Sequence, residues 1–217
     1  MSPMISEPLA VTRDLFPFPE GELRRTFARQ WILDFIPRGG VGAEIGVFRG
    51  HFSERILEVN KPRKLYLVDP WTLIGEYFSW SDDYTNFGRL PTSVAKREVE
   101  LLVNDFPETD SVIIEDSFPT CIARITEPLD WAYVDASHGY QATLGELYAL
   151  SGILVADGTI IGDDWHSDPS HCHHGVYRAV QEFVRMSDFE IVAAGVAGQW
   201  CLKRRSAYEF EPARDVA

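Results

Sequence analysis

Cysteine is scarce in this chain, and so is positive charge. Three cysteines, Cys121, Cys172 and Cys201, are an odd count in 217 residues and none belongs to a C-x-x-C pair. That excludes a disulfide framework and fits reduced thiols. Lysine and arginine number 20 against 33 acidic residues, a formal net charge of −13, and the longest basic run is Lys203-Arg204-Arg205. Phosphate backbones and anionic membrane surfaces find little to attract them, so the expected partner is a small molecule, with no nucleic acid and no membrane. Long hydrophobic runs are missing as well: nothing approaches transmembrane length. The first twenty residues lack the basic start and unbroken apolar core of a secretory signal, which makes a cytoplasmic address the expectation.

What is present is a substantial core. Hydrophobic residues make up 45% and aromatics 12% of the chain. At this length, one domain buries about 70% of its unfolded surface. Residues 1–39 read as an amino-terminal arm followed by a helix, together a candidate lid. In the arm, prolines at 3, 8, 17 and 19 come with no periodicity. The helix spans 22–36, with Leu23, Phe27 and Trp31 on its apolar face, and stops at Pro37-Arg38-Gly39-Gly40. Residues 40–204 form the main domain and 205–217 a solvated tail.

Within the main domain, short apolar runs alternate with helical patterns. Strands are expected at 41–48, 64–69, 111–115, 129–135 and 159–162, with 156–158 as the turn into the last of these. A glycine-linked hairpin follows at 190–194 and 200–203. This order predicts an α/β fold, a Rossmann-like doubly wound and mostly parallel sheet with an antiparallel carboxy-terminal hairpin. Residues 70–91 interrupt it, with Trp71, Tyr77, Phe78, Trp80, Tyr84 and Phe87 set among polar residues. So long and aromatic a loop reads as a cover over substrate or as the contact of a homo-oligomer.

Several strands end in acid. The first strand, 41–48, passes into a glycine turn, where Gly46 and Gly50 form G-x-x-x-G, a looser pattern than the dinucleotide G-x-G-x-x-G. Asp69 ends the next strand 23 positions beyond Gly46, the spacing of a ribose-binding carboxylate. Asp116 and Ser117 follow the third, and capping alone would also explain Ser117. Asp135 with the Asp163-Asp164 doublet would bring three hard oxygen donors to one sheet edge, which suits Mg²⁺; helix capping is the alternative for each acid. His138 stands three residues past Asp135, placed to accept a proton near its ordinary pKa of about 6.5. The run His171-Cys172-His173-His174 has no second ligand pair at structural-zinc spacing, so it reads as a polar loop beside the site, with His174 at a helix start.

The segments E-I-G-V-F-R-G (44–50), L-V-D (67–69), V-D-A-S-H-G-Y (134–140) and G-D-D-W (162–165) resemble those of class I S-adenosylmethionine-dependent methyltransferases. Within that superfamily the chain looks like the macrocin-type sugar O-methyltransferases. The resemblance spans about residues 40–204. It implies O-methylation of a sugar, catechol or glycosylated natural product, with Asp135, Asp163 and Asp164 on Mg²⁺ and His138 as base. It further implies that Glu44, Gly46, Gly50 and Asp69 hold the cofactor and that Asp116 and Ser117 flank its adenine. Two other readings stand beside it: a non-catalytic cofactor-binding or assembly protein, and a nicotinamide-dependent oxidoreductase. The second lacks the third glycine and leaves the acidic doublet without a duty.

Overall fold

The first strand, β1 (Val41–Ile45), is buried at every residue, as expected for the central strand of a parallel sheet covered on both faces. The computed structural model describes residues 6–205. Beside β1 lie β2 (Lys64–Asp69), β3 (Asp110–Glu115), β4 (Leu129–Val134), β5 (Leu154–Gly162), β6 (Phe189–Ala194) and β7 (Trp200–Arg204) in one sheet ordered β3-β2-β1-β4-β5-β7-β6. β1 to β5 pair in parallel, while β7 runs antiparallel to both β5 and β6. The α/β class and the terminal hairpin agree with the strand pattern of the sequence. One local expectation does not hold: residues 156–158 are no turn but part of β5, which carries a register shift against β4 between Leu129 and Trp131. The irregularity takes up the Asp157-Gly158 pair without ending the strand.

Alternate residues of each strand feed opposite layers. Leu65, Leu67, Trp131, Tyr133 and Ile161 pack on one face with α3 (His51–Val59) and α4 (Thr92–Asn104). Tyr66, Val68, Ala132, Val134 and Ile160 pack on the other with α5 (Tyr140–Ser151) and α6 (His174–Met186). His174 opens α6, as its position suggested.

The amino-terminal segment departs most from expectation. Residues 7–15 are helical (α1, Glu7–Leu15), because Pro8 falls in the first turn, where its missing N–H costs nothing. Fully buried Leu9 anchors α1 in the core. The next helix is short, α2 (Glu22–Arg29), and a 3₁₀ turn, Gln30–Phe35, follows it. Its orientation is inverted relative to the apolar pattern: Leu23 and Phe27 are 71% and 52% exposed, whereas Glu22, Thr26 and Arg29 are buried. Burying a helix's charged face is costly unless each charge finds a partner. The partners lie at the carboxyl ends of the strands, where Asp135 and Asp163 receive Arg29 and Asp163 also receives Arg25. The carboxy-terminal tail expected to be solvated lies, after residue 205, outside the described residues.

Candidate active site

Strand order reverses between β1 and β4, the position where open α/β sheets bind ligands beyond the carboxyl ends of their strands. Register brings three expected site residues to one level there. Ile45 pairs with Val134 and Val134 with Gly162, so Gly46, Asp135 and Asp163 leave the sheet side by side. Beyond them opens a cavity of about 770 Å³, within the range of small-molecule sites.

At one end the cavity is walled by the β1 turn, the end of β2 and the β3 loop. Gly46 has φ +88°, and a Cβ there would lie 2.1 Å from the Asp135 carbonyl oxygen. Gly46→Ala is therefore expected to lower stability by about 1–3 kcal/mol through strain and overpacking, seen as a drop in Tm with loss of ligand binding. Asp69 Oδ2 accepts the backbone N–H groups of Val47 (3.0 Å) and Phe48 (2.9 Å), and Oδ1 accepts that of Trp71 (3.0 Å). Burial nevertheless pushes its pKa up. Glu44 is buried, accepts the Ser53 hydroxyl and is pushed up to about 8 by burial, with Asp135 and Asp69 adding to the rise. Asp116 and Ser117 line the same end; the Asp116 carboxylate accepts the Ser117 N–H at 2.8 Å. Gly50 does not line the cavity. It precedes α3 at φ +77°, and a Cβ there would meet Leu102 of α4 at 2.9 Å, so its missing side chain lets α3 and α4 pack closely.

At the other end stand the acids and histidines, but not as one three-carboxylate set. Asp163 is only 3% exposed, and both its oxygens are engaged. Oδ2 accepts Arg25 Nη2 (2.8 Å) and Arg29 Nη1, and Oδ1 accepts the Gln199 side-chain amide. Arg29 Nη1 also donates to Asp135 Oδ2 at 3.1 Å. Asp164, at φ +65°, turns the other way: Oδ2 lies 2.9 Å from His138 Nε2 and Oδ1 2.9 Å from His173 Nδ1. Mg²⁺ needs its carboxylate oxygens about 2.0–2.1 Å from one centre. The expected set Asp135, Asp163 and Asp164 does not fit that requirement, because a guanidinium already bridges two members and the third faces elsewhere. Among the described residues, the donor groups that do converge are His138–Asp164–His173 and His166–His171–His173.

His138 is also altered from expectation. Burial lowers its pKa, but hydrogen bonding to Asp135 and Asp164 outweighs this and raises it to about 10. The ring is therefore charged at neutral pH rather than poised to take a proton.

The cover was only partly visible in the sequence. Phe78 and Trp80 from the aromatic segment pack on Phe48, at ring-centroid distances of 5.0 and 4.9 Å. Tyr84 donates to Glu22 (2.7 Å) and accepts from Arg25 (3.2 Å), which ties that segment to α2. Glu22 is held down at about 2: burial would raise it, but His51 and Tyr84 overcome that. Sequence reading missed Glu22, Arg25, Arg29, His51 and Glu146, all of which line the cavity. For Glu22, Arg25 and Arg29 the one signal was an amphipathic helix whose charged residues recur at the spacing of a helix face.

The profile of a family described as a methyltransferase domain matches residues 43–165, more than half of the chain. The chain belongs to that methyltransferase family. The fold is shared with solved structures of low sequence identity. An O-methyltransferase from Bacillus cereus in complex with SAH is 14% identical with a TM-score of 0.55, over 92% of this chain and 90% of that one. The SAH-bound Podospora anserina methyltransferase is 13% identical with a TM-score of 0.58, over 93% and 89%. An rRNA methylase from Streptococcus thermophilus is 13% identical with a TM-score of 0.53, over 83% and 95%. No curated protein matches. Among the described residues, no helix is long and apolar enough to cross a membrane.

Proposed function

We propose that this chain is an S-adenosylmethionine-dependent O-methyltransferase acting on a hydroxyl of a small molecule such as a sugar, catechol or glycosylated natural product. The observation that carries the reading is the two-ended cavity: a glycine turn and strand-end acids at one end, and a histidine held by acids at the other, under a joint cover of α2 and the aromatic segment. Bound S-adenosylmethionine would supply an electrophilic methyl group on a sulfonium. The residues fit that cation, because the carboxylates of Asp69 and Asp116 line its end of the cavity and apolar Phe118 lies beside Asp116 and Ser117 for the adenine.

The chain's own part is alignment and proton handling. Holding the acceptor oxygen in line with the methyl carbon contributes up to about 7–11 kcal/mol in well-oriented systems. The aromatic cover excludes water from that approach. In the small neutral fraction that a pKa of about 10 leaves at neutral pH, His138 would take the proton of the acceptor hydroxyl as the methyl group passes to that oxygen. Asp164 steadies the imidazolium that results. A small acceptor is favoured over RNA by the net charge of −13 and by the acids around the cavity. A mass-spectrometric screen of hydroxylated sugars, catechols and glycosides with labelled S-adenosylmethionine is expected to yield products heavier by one methyl group on oxygen. Tight cofactor binding with no product across the library, or methylation of ribosomal RNA alone, would refute the proposal.

A further inference from the structure

We propose that Arg29 is the resident cation of the acidic edge: its guanidinium takes the place between Asp135 and Asp163 that a divalent ion would need, so this pair does not take up Mg²⁺. Arg29 is 3% exposed. Its Nη1 reaches Asp135 Oδ2 at 3.1 Å and, more closely, Asp163 Oδ2. One nitrogen bridging two carboxylates fills the position where a shared metal ion would sit. The rest of the shell is built around this arrangement. Arg25 supplies a second positive charge to Asp163, and Gln199 closes its other oxygen while accepting the Tyr133 hydroxyl at 3.2 Å. The Arg29 guanidinium also stands 5.1 Å from the centre of the Phe52 ring, a cation–π contact that fixes its plane.

The placement explains why α2 turns its charged face inward and leaves Leu23 and Phe27 in solvent. The helix is in effect a cation carrier, and through Glu22 and Tyr84 it is tied to the aromatic cover. Arg29 thereby acts as a positioning residue, holding Asp135 beside His138, with Asp135 Oδ1 3.8 Å from His138 Nε2.

The test uses Mn²⁺ as an oxygen-seeking probe, with the count of bound ions read by electron paramagnetic resonance and calorimetry on the full chain. Arg29→Met, which keeps bulk and removes charge, is expected to bind one Mn²⁺ more than wild type, and Asp163→Asn added to it is expected to abolish that extra ion. Arg29→Lys restores the wild-type count if the charge is what excludes metal. Counting the difference sets aside any ion held by the imidazole clusters. A wild-type ion that disappears in Asp163→Asn would overturn the proposal, as would an unchanged count in Arg29→Met that retains a cooperative thermal transition. Should Arg29→Met fail to fold, the wild-type and Asp163→Asn pair still decides. The binding arms need no acceptor, so they stand or fall separately from the methyl-transfer screen.

Discussion

Asp69→Ala is expected to weaken S-adenosylmethionine binding by about 10- to 150-fold, the equivalent of about 1.5–3 kcal/mol for a hydrogen bond to a charged group. Asp69 ends β2 at the edge of the cavity, where its Oδ1 keeps a lone pair after the carboxylate has accepted three backbone N–H groups. Those three bonds give it a second job, because they hold the β1 turn and the start of the aromatic segment. Calorimetry with two ligands separates the jobs. If Asp69 receives the ribose, the substitution should cost affinity for S-adenosylmethionine but little for an analogue lacking the ribose hydroxyls. Equal losses for both ligands would mean that Asp69 acts through the turn alone, and the ribose assignment would be wrong.

His138→Gln is expected to lower kcat by about 10² or more while cofactor affinity stays nearly unchanged. The pH profile carries the sharper content. With its pKa raised to about 10, the ring is neutral in about one molecule in a thousand at pH 7. If the neutral form accepts the proton, kcat climbs about tenfold per pH unit from neutrality and levels off near pH 10. The variant should lose that climb. An identical acidic limb in wild type and variant would show that His138 is not the base.

Stability gives an independent check on the same pair. A histidine whose folded pKa lies above its unfolded value contributes stability that is complete below about 6.5 and lost as pH rises through about 10. Wild type should therefore lose a stability increment over that alkaline window, and His138→Gln should not. A purely structural histidine would produce this stability change without the change in the rate profile.

The α/β class, the strand ends and the terminal hairpin were legible because periodicity and turn residues are local signals. A run such as KLYLVD declares both its strand and the acid at its end. Gly46 was legible for a related reason: a glycine directly after a buried strand marks a turn that other residues fit poorly. Gly50, in the same motif, was not separable from it. Only packing shows that its missing side chain makes room for Leu102 of α4.

What tertiary structure alone decided is how the charges pair. Asp163 and Asp164 are neighbours in sequence, yet one is buried against Arg29 from 134 positions upstream and the other faces His138 and His173. No spacing rule encodes such partners, because an ion pair depends on where two separate elements meet in space. The inward charged face of α2 follows from the same cause: its apolar pattern alone would have turned it over, and the buried acids of the strand ends outweighed that pattern by supplying partners for Arg25 and Arg29. The strands and the acids at their ends were thus set by local sequence. Which acids stay open to a ligand and which are held by the protein's own cations was settled by long-range electrostatics in a buried site, where an unpaired charge is costly.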